Sequence, residues 1–420
     1  MPLVESSIAD LAGSPKVASC LDWFLRSRGW INQKHLELCR IAAPTFFEQE
    51  RAEWMVAQFS ELGWDARLDA SGNAIATLPD RRRDAPAVAV TAHLDTVLAP
   101  RSPKDVWVGD QGRFFGPGVS DNGVGLAALL ALAAAWQEHP PLEESPLAPM
   151  LIANVGEEGE GNLSGMRFLC QEPDRHPEAF LILDGPSVGH ITNQALASRR
   201  YEIHVTGPGG HSWNDRGRPN PLHALSRVIL NFADRFREDC HDLASESEQE
   251  SAYNFGVLQG GTSINAIPAE AWVKVDLRSL HPSGMDQLGD LLAEVVADAV
   301  QKENSAAVAP ANLPGNKRPL LQAHLKEIGS RPGGKITPGA PILEAITAVD
   351  AYLGIRSRLD CSSTDANIPL SLGIPAISIG AGGRGGGAHT TSEWYHPQGR
   401  EQGLQRLLLT LCLLLRQPSL

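Results

Sequence analysis

Cysteine is scarce in this chain and widely scattered. Its six cysteines (Cys20, Cys39, Cys170, Cys240, Cys361 and Cys412) form no CxxC pair in 420 residues, which argues against a zinc–thiolate centre and fits reduced thiols in a cytoplasmic protein. Positive charge is short as well. The formal net charge is -13, so nucleic acid and anionic membrane, which both demand a basic face, are not expected as partners. No apolar run reaches the roughly 20 residues that span a bilayer. The longest, GVGLAALLALAAAW and LLLTLCLLL, read as buried helices. The opening MPLVESSIADLAGS lacks a basic stretch followed by an apolar one, so no secretory signal is expected. Internal repeats are missing too. What is present, 42% hydrophobic and 20% charged residues, describes a soluble protein long enough for two cored domains and suited to a small-molecule or peptide substrate.

Short apolar runs alternate with helical patterns along the chain. AVAVTAH, PMLIANV, AFLILD and the later IPAISIG predict an α/β fold in which helices cover a parallel or mixed sheet. Between about residues 196 and 333 the order becomes strand, helix, two strands, helix, strand: SRRYEIHVTG, PLHALSRVILNFADRF, NFGVLQGG with EAWVKVDLRS, MDQLGDLLAEVVADAV and LKEIGSRP. That order predicts a ferredoxin-like α+β domain, residues 196–333, inserted into a discontinuous larger domain of residues 1–195 and 334–420. Leu222, Leu225, Ile229, Phe232 and Phe236 recur at helical spacing and read as core. SAAVAPANLPGNKRP reads as a surface loop.

Three apolar runs end in residues that bind metals. TAHLD carries His93 and Asp95, NVGEE carries Glu157 and Glu158, and LILD carries Asp184; open α/β sheets take their ligands just beyond such strand ends. His93 and Asp95 are two apart, so on an extended strand they point the same way, and the carboxylate can orient a metal-bound imidazole. Asp121, in GPGVSDNGVG before an apolar helix, has the simpler reading of an N-cap. His389 lies in the glycine loop GAGGRGGGAHTTSEW. Singly these residues are ordinary, but together they form a nitrogen and oxygen set that zinc, cobalt or manganese accepts.

With these residues assembled, the chain resembles the co-catalytic zinc peptidases and deacylases that include tripeptidase T, acetylornithine deacetylase and carnosinase. The resemblance runs from about Leu36 to His396, and GEEGEGNLSG, GPGGHSW and GGTSINAIP place it nearest the tripeptidase T-like branch. It implies a mixed-sheet zinc-peptidase catalytic domain with an inserted dimerisation or lid domain, a homodimer, and two divalent metal ions, zinc or else cobalt or manganese. By resemblance His93 is a metal ligand and Asp95 its orienting partner, Asp121 bridges both metals beside a cis peptide, and Asp184 and His389 complete the two sites. Glu157 resembles the general base and Glu158 the second-site ligand. His211 resembles an oxyanion-stabilising histidine, often supplied by the partner subunit. Asn265 and Arg278 resemble residues that hold a substrate's backbone and free carboxylate, for which a planar guanidinium is suited. Asp365 and Asn367, in STDAN, resemble a loop near the site. The chain differs from tripeptidase T in having Asn122 after Asp121 and a longer loop before Pro319. The expected reaction is hydrolysis of an amide in a small peptide, or in an N-acyl amino acid, beside a free carboxylate.

Two other readings compete. Gly185-Pro-Ser187-Val-Gly189 satisfies GxSxG, with Asp365 and His389 following in the order of a serine hydrolase triad. A helix should then begin at Ser187, whereas HITNQALASRRYEIHV reads as extended chain. A fold kept only for binding would have lost Glu157 or several ligands, and all are present. Glu393 and His396 beside His389 suggest no regular helical metal site, because glycines precede them and Pro397 follows. Glu160 reads as a solvated loop acid.

Overall fold

In the computed structural model of the protein, residues 2–80, 85–171, 177–242, 251–308 and 320–418 are described. They divide into two compact units, Met1–Ala195 with Gly334–Leu420, and Leu196–Gly333.

The first unit is built on a nine-stranded mixed sheet. Its strand Ala87–His93 is buried along its whole length, as a continuous apolar run without alternation requires. Ala148–Asn154 and Ala179–Leu183 flank it in parallel, and Ala376–Ile379 runs parallel to the latter. Ala74–Thr77 and then Asp65–Leu68 continue one side in antiparallel fashion. His190–Ala195, with Gly334–Lys335 and the parallel Arg358–Ser362, forms the other. Helix Gly123–Glu138 is buried on every face from Gly123 to Trp136. An all-apolar helix of this kind has no solvent stripe to offer, and with Arg400–Leu415 it joins the sheet in one core. Among the described residues no helix is long and apolar enough to cross a membrane. The functional consequence lies at one edge: parallel strands ending at His93, Asn154 and Leu183 are neighbours, so their carboxyl ends open on a common crevice.

The second unit is a four-stranded antiparallel sheet in the order Ser251–Gly260, Glu270–Ser279, Ala197–Thr206, Gln322–Arg331. Helices Pro221–Asp242 and Pro282–Ala306 pack on it around a core of its own. Burial alternates along Glu270–Ser279, so one face is dry and the other wet. With its helices this is the ferredoxin-like arrangement expected for the insert. Leu225 and Phe232 are fully buried, and Leu222, Ile229 and Phe236 pack against that core. Of the expected loop at 305–319, residues 309–319 lie outside the described set.

Candidate metal centre

Six of the sequence-predicted residues meet at the crevice of the first unit. Ligand atoms of His93, Asp121 and Asp184 lie within 4.8 Å of one another, as do those of Asp121, Glu158 and His389, and those of His93, Glu157 and Glu158. Asp121 belongs to two of these groups and joins them directly. Its Oδ1 is 3.1 Å from His93 Nε2 and its Oδ2 is 3.0 Å from His389 Nε2. His389 Nε2 is also 2.9 Å from Glu158 Oε1. Glu160 is exposed and apart from the cluster.

Each side chain is delivered by a local feature. His93 ends its strand, and its Nδ1 is 2.9 Å from the backbone oxygen of Asp95. That corrects the expected geometry, because the strand stops before Asp95 and the Asp95 carboxylate stands 3.6 Å from the ring. Its oxygens instead accept the backbone N–H groups of Glu157 (3.0 Å) and Glu158 (2.8 Å) and the Thr45 hydroxyl (3.0 Å). Hydrogen bonds to a charged group contribute about 1.5–3 kcal/mol each, so buried Asp95 fixes the turn that carries the two glutamates. Asp121 is not the N-cap. That role falls to Asn122, whose Oδ1 accepts from Gly125 N at 3.2 Å and whose Nδ2 donates to Leu183 O at 2.7 Å. The departure at residue 122 therefore ties the helix start to the strand leading to Asp184. The Asp121–Asn122 peptide is cis. A Cβ on Gly123 would lie 2.3 Å from Cys39 Sγ and 2.5 Å from Gly118 O, so only glycine lets the helix begin this close to the loop.

The cluster concentrates negative charge. Burial first, and then the Asp121 carboxylate, raise the Asp184 pKa to about 7. Burial also raises Glu158, with Asp121 adding to it against the pull of the histidines. His389, hydrogen-bonded to Asp121, is lifted to about 9. Burial draws His93 down, but its hydrogen bond to Asp121 and the nearby Asp95 carboxylate outweigh it and leave the ring well above its usual value. Both histidines are thus raised by the carboxylates around them, Asp121 first among these. A set of two imidazoles and several carboxylates with no thiolate suits two zinc, cobalt or manganese ions.

Residues 89–416 match Peptidase family M20/M25/M40. The chain belongs to this family. Its members are metal-dependent hydrolases. The protein YqjE of Bacillus subtilis, described as uncharacterized, is 24% identical over 83% of this chain and 89% of its own. Among solved structures, a tripeptidase from Staphylococcus aureus superposes with a TM-score of 0.70 at 19% identity, covering 92% of this chain and 98% of that one. A Bacillus subtilis protein described as a dinuclear metal binding peptidase from family M20 gives 0.63 at 14% identity, covering 92% and 98%.

Of the remaining candidates, His211, Asn265 and Arg278 belong to the second unit of this M20 family chain, and Ser187 and Asp365 to the first. His211 and Asn265 come together on the second unit, where Gly210–His211 pairs with Ala266–Ile267 and Ser212 N donates to Asn265 O at 2.9 Å. Arg278 does not join them. It pairs across the sheet with Ser198, eight residues along the strand from Glu270 and hence about 26 Å from that hairpin. Its Nε donates to Asp276 Oδ2 at 2.7 Å, the ordinary ion pair of a strand end. Ser187 leads into the strand His190–Ala195 rather than a helix, and its hydroxyl accepts from Gly189 N at 3.2 Å. With His389 engaged by Asp121 and Glu158, no serine triad forms here. Buried Asp365 accepts from Asn154 Nδ2 at 2.7 Å, beneath the strand leading to the glutamates, and Asn367 Oδ1 accepts from Thr364 N.

Glu393, set aside in the sequence as part of a helical metal site, has a different place in the structure. It is 4% exposed, and its carboxylate accepts the backbone N–H groups of Gly118 (2.8 Å), Ser120 (2.7 Å) and Asp121 (2.9 Å). One acid four residues past His389 therefore clamps the loop that presents Asp121. Behind that loop His35 Nε2 bonds Val119 O at 2.8 Å while Arg400 donates to its Nδ1 at 2.7 Å. The signal available in the sequence was the run of loop N–H groups at 116–121, which need an acceptor if buried. Groups that orient metal ligands typically change affinity by about 10–100-fold when removed. Glu393→Gln should weaken metal binding by that factor in a chelator competition, and unchanged affinity would show that the clamp does not position Asp121.

Proposed function

We propose that this chain hydrolyses the amide bond of small peptides in the manner of an aminopeptidase or tripeptidase, using two divalent metal ions, zinc or else cobalt or manganese. The observation that carries this reading is Asp121 shared between two histidine-containing ligand groups with Glu157 beside them. His93, Asp121 and Asp184 would hold one ion, and Asp121, Glu158 and His389 the other. When bound, such a pair acidifies a water and polarises the amide carbonyl.

Glu157 then acts as the general base. Its carboxylate takes a proton from the attacking water as the new C–O bond forms and delivers it to the leaving nitrogen as the C–N bond breaks. Asp95 keeps it in place through the backbone bonds already described. His211 Nδ1 accepts backbone N–H groups from Trp213 and Asn214 at 3.2 and 3.4 Å. That leaves the proton on Nε2, as a donor to a developing oxyanion requires. Asn265, beside His211, holds the substrate backbone, whereas Arg278 keeps its ion pair with Asp276 at the far end of its strand and takes no part in this reading. A homodimer in the cytoplasm completes the reading. Supporting the compartment, the five described cysteines are free and four of them are buried.

A panel of dipeptides, tripeptides and N-acyl amino acids tests it. Hydrolysis should vanish on chelation, return with zinc, cobalt or manganese, and fall strongly in His211→Ala. Preference for N-acyl amino acids would move the chain to the deacylase reading, and release of the C-terminal residue to a carboxypeptidase. Activity that resists chelation would overturn the metal mechanism.

A further inference from the structure

The turn Pro44–Phe47 sets two phenylalanines in water beside the candidate metal centre. Phe46 is 64% exposed and Phe47 74%. A single exposed aromatic needs no explanation, but these are adjacent, and one is held where a bulky residue rarely goes. The φ of Phe46 is 75°, a left-handed conformation that every residue with a Cβ resists. Such strain persists only where the surroundings enforce it, and it collects at functional sites. In this unit Gln111 (59°), Asn162 (54°), Leu163 (59°) and His389 (64°) share it; His389 is itself a candidate ligand, and Asn162 and Leu163 follow Glu158 closely in the chain.

The surroundings that enforce it are the site itself. Phe47 N donates to Pro44 O at 2.8 Å and closes the turn, while Thr96 N donates to Ala43 O at 3.0 Å. On one side of the rings Thr45 Oγ1 donates to Asp95 Oδ2 at 3.0 Å. On the other, Gly156 N donates to Glu48 Oε1 at 3.2 Å. The two rings are thus bracketed by bonds to the aspartate behind His93 and to the residue preceding Glu157. Aromatic rings fixed this way offer large apolar contact at little cost in side-chain freedom.

We propose that Phe46 and Phe47 form an apolar subsite that takes a hydrophobic, preferentially aromatic, side chain of the substrate next to the scissile amide. The proposal rests on the amide-hydrolase reading above and gives it a substrate class. Both rings are largely exposed, and the turn that carries them is bonded to Asp95 and to Gly156, so the occupant their position favours is a side chain of a substrate held at the metal centre.

The test is kcat/KM for X-Gly, Gly-X and N-acetyl-X with X as Ala, Leu, Phe, Glu or Lys, measured on wild type, Phe46→Gly and the double variant Phe46→Ser/Phe47→Ser. Wild type should favour Phe and Leu in at least one series, and the double variant should lower the Phe-to-Ala ratio by roughly 10–100-fold, the scale on which apolar pockets discriminate. Phe46→Gly should lose selectivity without losing thermal stability, because glycine accepts a φ of 75° freely. An unchanged ratio, or an equal fall for every X, overturns the subsite. A lower Tm or an altered sedimentation mass with the ratio intact also overturns it, showing that the rings pack against protein. A wild type inert on every series removes the amide-hydrolase reading itself, and the subsite with it.

Discussion

Glu157→Gln lowers kcat by about 10²–10⁴-fold, the range attributed to a positioned general base, while metal content stays at the wild-type level. The substitution keeps the side chain's size and the backbone N–H that Asp95 accepts, so the turn survives and only proton transfer is lost. The prediction discriminates because Glu157 also lies within ligand distance of His93 and Glu158. Two ions can be held by the two groups that share Asp121, which leaves Glu157 for the water. Metal analysis and kcat from one preparation decide the matter. A variant that loses an ion along with its activity would make Glu157 a ligand and return the role of base to another residue.

Asp350→Ala destabilises the protein by about 3–5 kcal/mol, the penalty for stripping the partner from a buried charge. Arg406 is fully buried on helix Arg400–Leu415, and its Nε and Nη2 meet the two Asp350 oxygens at 2.6 Å each. Asp350, on helix Pro341–Leu353, also accepts the Ser357 hydroxyl at 2.5 Å. The exposed pair Arg26–Asp22, at 2.7 Å and with both side chains more than half open to water, offers the contrast, since such pairs contribute about 0–1 kcal/mol. Denaturant unfolding of Asp350→Ala and Asp22→Ala side by side gives the comparison. The double variant Asp350→Leu/Arg406→Met should recover most of the loss. A destabilisation below about 1 kcal/mol in Asp350→Ala would mean that water reaches the guanidinium.

What could be read from sequence follows from where the information is stored. The strands Ala87–His93 and Ala179–Leu183 are continuous apolar runs, and the ligands beyond them are the polar residues that interrupt such runs. Their chemistry is local, so a linear reading found it. The two-to-three-residue strands Trp107–Val108, Phe114–Phe115, Arg384–Gly386 and Trp394–His396 went unseen, because segments this short carry no period. Glu393 clamps a loop 272 residues earlier, and Arg406 meets an aspartate 56 residues away. A single sequence can show that the buried loop needs an acceptor, but not which distant residue supplies it. Asp95 shows an intermediate case. Its importance was legible in HxD, but its partners are backbone N–H groups in the turn that follows the strand Ala148–Asn154, 62 and 63 residues on, so the part it plays emerged only in three dimensions. Arg278 shows the limit of resemblance, since its nearest partner is Asp276 on its own strand.

The measurement that bears most directly on the central claim is the metal stoichiometry of the purified chain beside that of Asp121→Ala. The shared carboxylate predicts two zinc, cobalt or manganese ions per wild-type chain, and loss of at least one in the variant. Wild type that retains only traces of metal after reconstitution, or a variant that keeps both ions, would contradict it.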